Sequence, residues 1–157
     1  MFSQHTTIKS VKTKHEYEYA IFDKEALHEG VPIDIKYRIV EIRDGITTIP
    51  SFAFRDARLD IVVLPPSMEI INRAAFQGSS IKELLVRKPG SGEYDPKYDN
   101  LFFIGATAFE DCKNLKVFEP TQVMRVNNFA FANSGLEEGD ISFPRGAEIN
   151  PFAFKKF

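Results

Sequence analysis

The fold this 157-residue sequence predicts is a mainly β solenoid: about five repeats of about 22 residues, a parallel strand face and an N-terminal β cap. Three observations predict it. First, Ala-Phe recurs at Ala53-Phe54, Ala75-Phe76, Ala108-Phe109, Ala130-Phe131 and Ala153-Phe154, with steps of 22, 33, 22 and 23 residues between the phenylalanines. Second, other columns keep the same register. Five residues before each Phe stands Ile49, Ile71, Ile104, Val126 or Ile149, and three residues after it stands a small residue, Ala57, Ser79, Cys112 or Ser134. Third, every repeat carries a short apolar run that stops at or near proline: Asp60–Pro65, Glu83–Val86, Lys116–Pro120 and Ile141–Pro144.

The elements follow from these columns. The apolar runs are rich in β-branched and aromatic residues, which suits brief strands, and proline ends the hydrogen-bond ladder. Leu59, Ile81, Leu115 and Leu136 form the aliphatic column that leads into the strands, and Val62, Leu84 and Val117, each eight residues after its Phe, are expected to be core. A second extended stretch follows, as in Ser67–Ile71 or Gln122–Val126, before the Ala-Phe turn brings its Phe into the stack. One such unit cannot bury its apolar side alone, so neighbours must stack and equivalent phenylalanines form a ladder. The 33-residue step is one period plus 11, and the excess falls in the turn-rich stretch from Lys88 to Tyr98, the signature of an inserted surface loop. The fourth repeat carries an extra residue within Glu137–Asp140 before Ile141 resumes the pattern. Residues 1–38 lack the repeat. His15–Phe22 and Ile33–Val40 partly alternate and read as two strands joined by Asp23–Pro32, a cap for the first repeat, whose strand begins near Val40. Residues 39–157 form the repeat domain, with the loop 88–99 inserted.

The pattern Leu115-x-x-Phe118-x-Pro120, followed by Val123-x-x-Val126-x-x-x-Ala130-Phe131-x-x-Ser134, resembles the BspA-like subclass of leucine-rich repeats. Ile104-Gly105 before Ala108-Phe109, with Cys112-Lys113-Asn114-Leu115 after it, matches that pattern best. The resemblance covers residues 39–157 and implies a leucine-rich-repeat solenoid. It also implies kinship with surface proteins of adhesion or host recognition. The chain departs from the subclass where Gly after the Ile becomes Pro50, Asn72, Asn127 or Asn150, and in its 11-residue insertion.

Composition narrows the function. Fifteen phenylalanines without a tryptophan fit one recurring structural position. A net charge of −2 offers no basic face, so no nucleic-acid partner is expected. A single cysteine excludes an intramolecular disulfide and a multi-cysteine metal site. There is no signal-peptide-like apolar segment and no apolar run of spanning length, which gives the expectation of a cytoplasmic protein as written, without a membrane partner. A surface or secreted location would apply had a signal been removed. His5, His15 and His28 lie outside the repeats without metal-ligand spacing, Gly90-Ser91-Gly92 does not match a phosphate loop, and Glu137–Asp140 lacks calcium-ligand alternation. Cys112 shares a column with Ala57, Ser79 and Ser134 and reads as a small buried residue. No nucleophile, base and oxyanion donor assemble, so a non-enzyme without cofactors or metals is expected.

Binding is the remaining class. Side chains alternate along a strand, so the column nine after the Phe should face outward. It holds Val63, Leu85 and Phe118, with Ile141 at the offset place, and an outward apolar stripe of this kind marks a partner site. The competing reading is that these side chains are core. Tyr94 and Tyr98 on the 88–99 loop form the second candidate, against the alternative that the loop is a spacer. The expected function is a protein-binding module, an adaptor or an inhibitor of a host protein. The alternative is an adhesin-type or self-assembling repeat protein, a homo-oligomer through the C-terminal repeat.

Overall fold

The computed structural model describes residues 6–13, 16–87 and 99–157, with side chains described from residue 16 onward. The predicted solenoid is present, mainly β and with parallel strands. Strands β1 (Thr6–Thr13), β2 (Glu16–Phe22) and β3 (Lys36–Ile42) open the chain, with the helix α1 (Lys24–Glu29) between β2 and β3. Then come β4 (Thr48–Ile49), β5 (Arg58–Leu64), β6 (Ile70–Ile71), β7 (Glu83–Val86), β8 (Phe103–Ile104), β9 (Val117–Phe118), β10 (Arg125–Val126) and β11 (Glu148–Ile149). They form two sheets. Sheet A runs β1-β2-β3-β5-β7-β9 and sheet B runs β11-β10-β8-β6-β4. Among the described strands only the β1–β2 pair is antiparallel. Each coil therefore crosses sheet A, turns, crosses sheet B and returns through the Ala-Phe arc.

The arc has an alternating backbone. Two residues before the Phe, the chain turns left-handed at Phe52, Ala74, Thr107 and Phe129; two residues after it, at Asp56, Gly78, Asp111 and Asn133. The later position uses Asp, Gly and Asn, which tolerate positive φ, whereas the earlier one strains ordinary side chains. The alternation explains why the strain persists. N–H groups at Phe52, Phe54 and Asp56 donate to Arg73, Ala75 and Gln77 of the next coil, while those of Ala53, Arg55 and Ala57 close tight turns onto Pro50, Phe52 and Phe54. From Phe52 to Ala57 every backbone donor has an acceptor, the buried Ala53, Phe54 and Ala57 included.

Inside the arc, Phe54, Phe76, Phe109, Phe131 and Phe154 stack with centroids 4.9, 5.0, 5.2 and 4.9 Å apart and nearly parallel rings. Phe22 closes the N-terminal end edge-on to Phe54 at 5.7 Å. Ile49, Ile71, Ile104 and Val126 line the neighbouring core ladder. Gly105 follows Ile104 because of close approach: a Cβ there would lie 2.6 Å from the Arg73 nitrogen.

Two registers differ from the expectation. Ser79 to Ile81 spans two positions, but Cys112 to Leu115 spans three, so Lys113-Asn114 holds one extra residue. Leu84 accordingly pairs with Phe118, placing Phe118 in the inward column of Val62 and Leu84 and leaving Val117 37% exposed on the outside. In the fourth repeat a 3-10 turn at Glu138–Asp140 replaces the strand. Leu136 to Ile141 spans five positions where Leu59 to Val62 spans three, so two extra residues are taken up there rather than one.

The N-terminal segment is a further coil. β2 pairs in parallel with β3, and β3 crosses residue 38 to pair with β5. Val31 stands where later coils have Phe: its N–H donates to the Ala53 carbonyl at 2.9 Å, as Phe54 donates to Ala75. Without an Ala-Phe pair, this coil was invisible to the repeat count.

Candidate protein-binding surfaces

The expected outward stripe of Val63, Leu85, Phe118 and Ile141 is not an exposed surface. Phe118 and Ile141 belong to the hydrophobic core, moved inward by the one- and two-residue insertions above. Phe118 meets Phe109 and Phe131 edge-on at 5.9 and 5.4 Å. Val63 and Leu85 do lie outside the core cluster, in register with each other and with Glu41, yet they are only 1% and 8% exposed.

Arg87 reaches across the outside of sheet A. It stands where other repeats end in Pro65, Pro120 or Pro144, immediately after β7, and it pairs with Glu41 of β3 and with Asp44. β5 lies between β3 and β7, so the side chain crosses about 9–10 Å over the outside of β5. Arg87 and Glu41 side chains are only 12% and 13% exposed. The aliphatic stem of an arginine covers apolar surface while its guanidinium keeps an anionic partner. Tyr94 and Tyr98, the other candidates, lie outside the described residues.

Where the described chain resumes, Asp99 organises the next turn. Its Oδ1 accepts from Leu101 N–H at 2.8 Å, and its Oδ2 accepts from the N–H groups of Thr121 and Gln122 at 2.7 and 2.9 Å. Burial pushes its carboxyl above the ordinary carboxylate value, partly offset by these three donors. The sequence signal was available in principle: an Asp closing a Gly/Pro-rich insertion just before an apolar run.

Three residues beyond Asp99 the surface changes character. Phe102 is 43% exposed and Met124 41%, and Met124 N–H donates to the Phe102 carbonyl at 2.9 Å, so the two occupy equivalent places in adjacent coils of sheet B. A shallow depression beside them is lined by Phe102, Phe103, Met124, Arg125, Gly146 and Glu148. Sequence reasoning placed partner contacts on sheet A and missed this pair. Its signal was a break in column polarity, with Phe102 and Met124 standing where other coils have Thr47, Glu69 or Ala147. A second aromatic group lies on the last two coils, where Phe129 meets Phe152 at 6.1 Å and Phe157 at 5.9 Å, with the Lys155 ammonium over both Phe152 and Phe157.

Cys112 is fully buried. Its thiol donates to the Phe76 carbonyl at 2.9 Å, and burial pushes its pKa up to about 12, the environment of an inert packing residue. Among the described residues no helix is long and apolar enough to cross a membrane, and no group of three or more His, Cys, Asp or Glu is placed to hold a metal ion.

The repeat geometry agrees with the family comparison. The model of the BspA type leucine rich repeat region matches residues 34–157 in six copies. The chain belongs to this family. No curated protein and no solved structure matches it. The match begins at residue 34, just ahead of β3. Membership in a leucine-rich-repeat family makes this a repeat module of the protein-interaction type, a class that is typically non-catalytic.

Proposed function

We propose that this chain is a non-catalytic protein-binding module that holds its partner on the outer face of sheet B, around Phe102 and Met124, flanked by the 88–99 insertion with Tyr94 and Tyr98. The observation that carries the reading is a pair of large apolar side chains in adjacent coils, each more than 40% exposed, in a column that elsewhere holds Thr47, Glu69 and Ala147. Hydrogen-bonded coils fix the spacing of their backbones, so little backbone order is lost on binding. The insertion rejoins the chain at Asp99, three residues before Phe102. Such a module acts as an adaptor or as an inhibitor of the host protein it holds. Affinity capture with wild type, Phe102→Asp/Met124→Asp and a Val117→Asp control tests this. The double variant should lose a partner that the control keeps; retention of every partner by a folded double variant rejects the patch.

The Phe129, Phe152 and Phe157 group favours a second reading, self-association of an adhesin-type or structural repeat protein through the C-terminal repeat, since Phe152 and Phe157 are 51% and 77% exposed. Sedimentation decides it: a mass rising with concentration, and lowered by Phe152→Asp/Phe157→Asp, supports self-association, and a constant monomer mass removes it.

A further inference from the structure

We propose that the pocket between α1 and the N-terminal edge of sheet B binds an oxyanion, the phosphate or carboxylate group of a small ligand. The pocket, about 330 Å3, is lined by Lys24, Leu27 and His28 from α1, by the turn and strand from Gly45 to Thr48, and by Pro50, Ser51 and Asn72. Among the described residues no carboxylate lines it. Lys24, Leu27 and His28 stand at i, i+3 and i+4, so one helix face presents them together. Leu27 is buried and forms the floor, leaving the ammonium and the imidazole at the rim.

The strand side supplies backbone donors. In the second coil, Glu69 and Ile70 both donate to the Thr47 carbonyl of the coil before. Thr48 is the register partner of Ile70, so the N–H groups of Thr47 and Thr48 point the same way, towards α1. There the preceding coil has no sheet B strand, since β4 is the first of that sheet, and no carbonyl among the described residues accepts from them. Hydroxyls of Thr47, Thr48 and Ser51 add further donors around the same opening. Two backbone donors converging with a nearby cation form the kind of concavity that takes an anion.

The third edge position favours a compact group over an added strand. Asn72 donates to Ile49, but its counterpart one coil earlier is Pro50, which has no N–H. Proline at a sheet edge blocks continued strand pairing while leaving the two threonine donors open. Neighbouring acids are engaged elsewhere: Asp23 accepts from Ala26 N–H, and Asp44 pairs with Arg87.

An amide NMR titration with inorganic phosphate, and separately with acetate, tests the site against chloride at matched ionic strength. The Thr47 and Thr48 amides should shift saturably, with Kd in the region of about 1–10 mM. A response to phosphate alone assigns a phosphoryl ligand, and a response to both anions assigns the broader oxyanion class. Lys24→Ala should weaken binding about threefold to fivefold, with Lys82→Ala as the unchanged control. Amides that stay put at about 50 mM of either anion, or that move equally with chloride, overturn the proposal. So does an unaltered Kd in a folded Lys24→Ala/His28→Ala variant.

Discussion

Sheet A and sheet B are built from the same coils, yet they treat their outer apolar side chains in opposite ways. On sheet A, Val63 and Leu85 point away from the core and are nearly inaccessible, with Arg87 drawn across β5 to Glu41 and Asp44. On sheet B, Phe102 and Met124 occupy adjacent coils with no comparable strap among the described residues and remain more than 40% exposed. Residue type therefore does not decide whether an outward hydrophobe stays exposed; its surroundings do.

Both faces hang on one aromatic stack, so the largest expected effect comes from breaking it. Phe109→Ala removes a ring held between Phe76 and Phe131 and should cost about 3–5 kcal/mol, read as a large fall in the urea midpoint or outright unfolding. Unchanged stability would remove the common support from which the two faces are compared. Next is the strap itself. Arg87→Ala leaves a largely buried Glu41 without its partner and uncovers Val63, for an expected loss of about 1.5–3 kcal/mol and new binding of an apolar dye. If dye binding does not rise, something other than Arg87 covers the column.

How far each face was legible in the sequence follows the same division. The Ala-Phe period could be read because one buried site recurs, and Phe fills it every time. The third repeat misled because Val117 and Phe118 are both apolar: an extra residue in Lys113-Asn114 exchanged their faces without altering the pattern. Burial on the outside of sheet A was out of reach, since the ion pairs that draw Arg87 across it join residues far apart in sequence, 41 and 44 with 87. The left-handed arc was half legible, at Asp56, Gly78, Asp111 and Asn133, but not at Phe52 or Phe129, where the alternating hydrogen bonds impose it.

Two smaller effects sharpen the contrast. Asp99→Asn takes one acceptor oxygen from the three N–H groups that anchor the turn beside Phe102, with an expected cost of about 1–3 kcal/mol at neutral pH. Because burial raises the Asp99 pKa, the folded state binds its proton more tightly than the unfolded chain does. Between the unfolded and folded values, this group's contribution falls as pH rises, and Asp99→Asn should remove that slope from urea midpoints measured across the window. Phe102→Asp should be smallest, under about 1 kcal/mol, because 43% of Phe102 is already exposed. A loss the size of that for Arg87→Ala would mean sheet B is strapped as well.

The arc hydrogen bonds give the stack a direction. At Phe52, Phe54 and Asp56, at Ala74, Phe76 and Gly78, and again at Thr107, Phe109 and Asp111, the donors aim at the following coil. In the arc, each of these three coils therefore offers three N–H groups on one flank and meets three carbonyls of the next, like a keyed edge. Two copies brought together by the same flank would set donor against donor. Head-to-tail contact alone matches the key, so any coil or copy added to this solenoid must arrive with the same polarity.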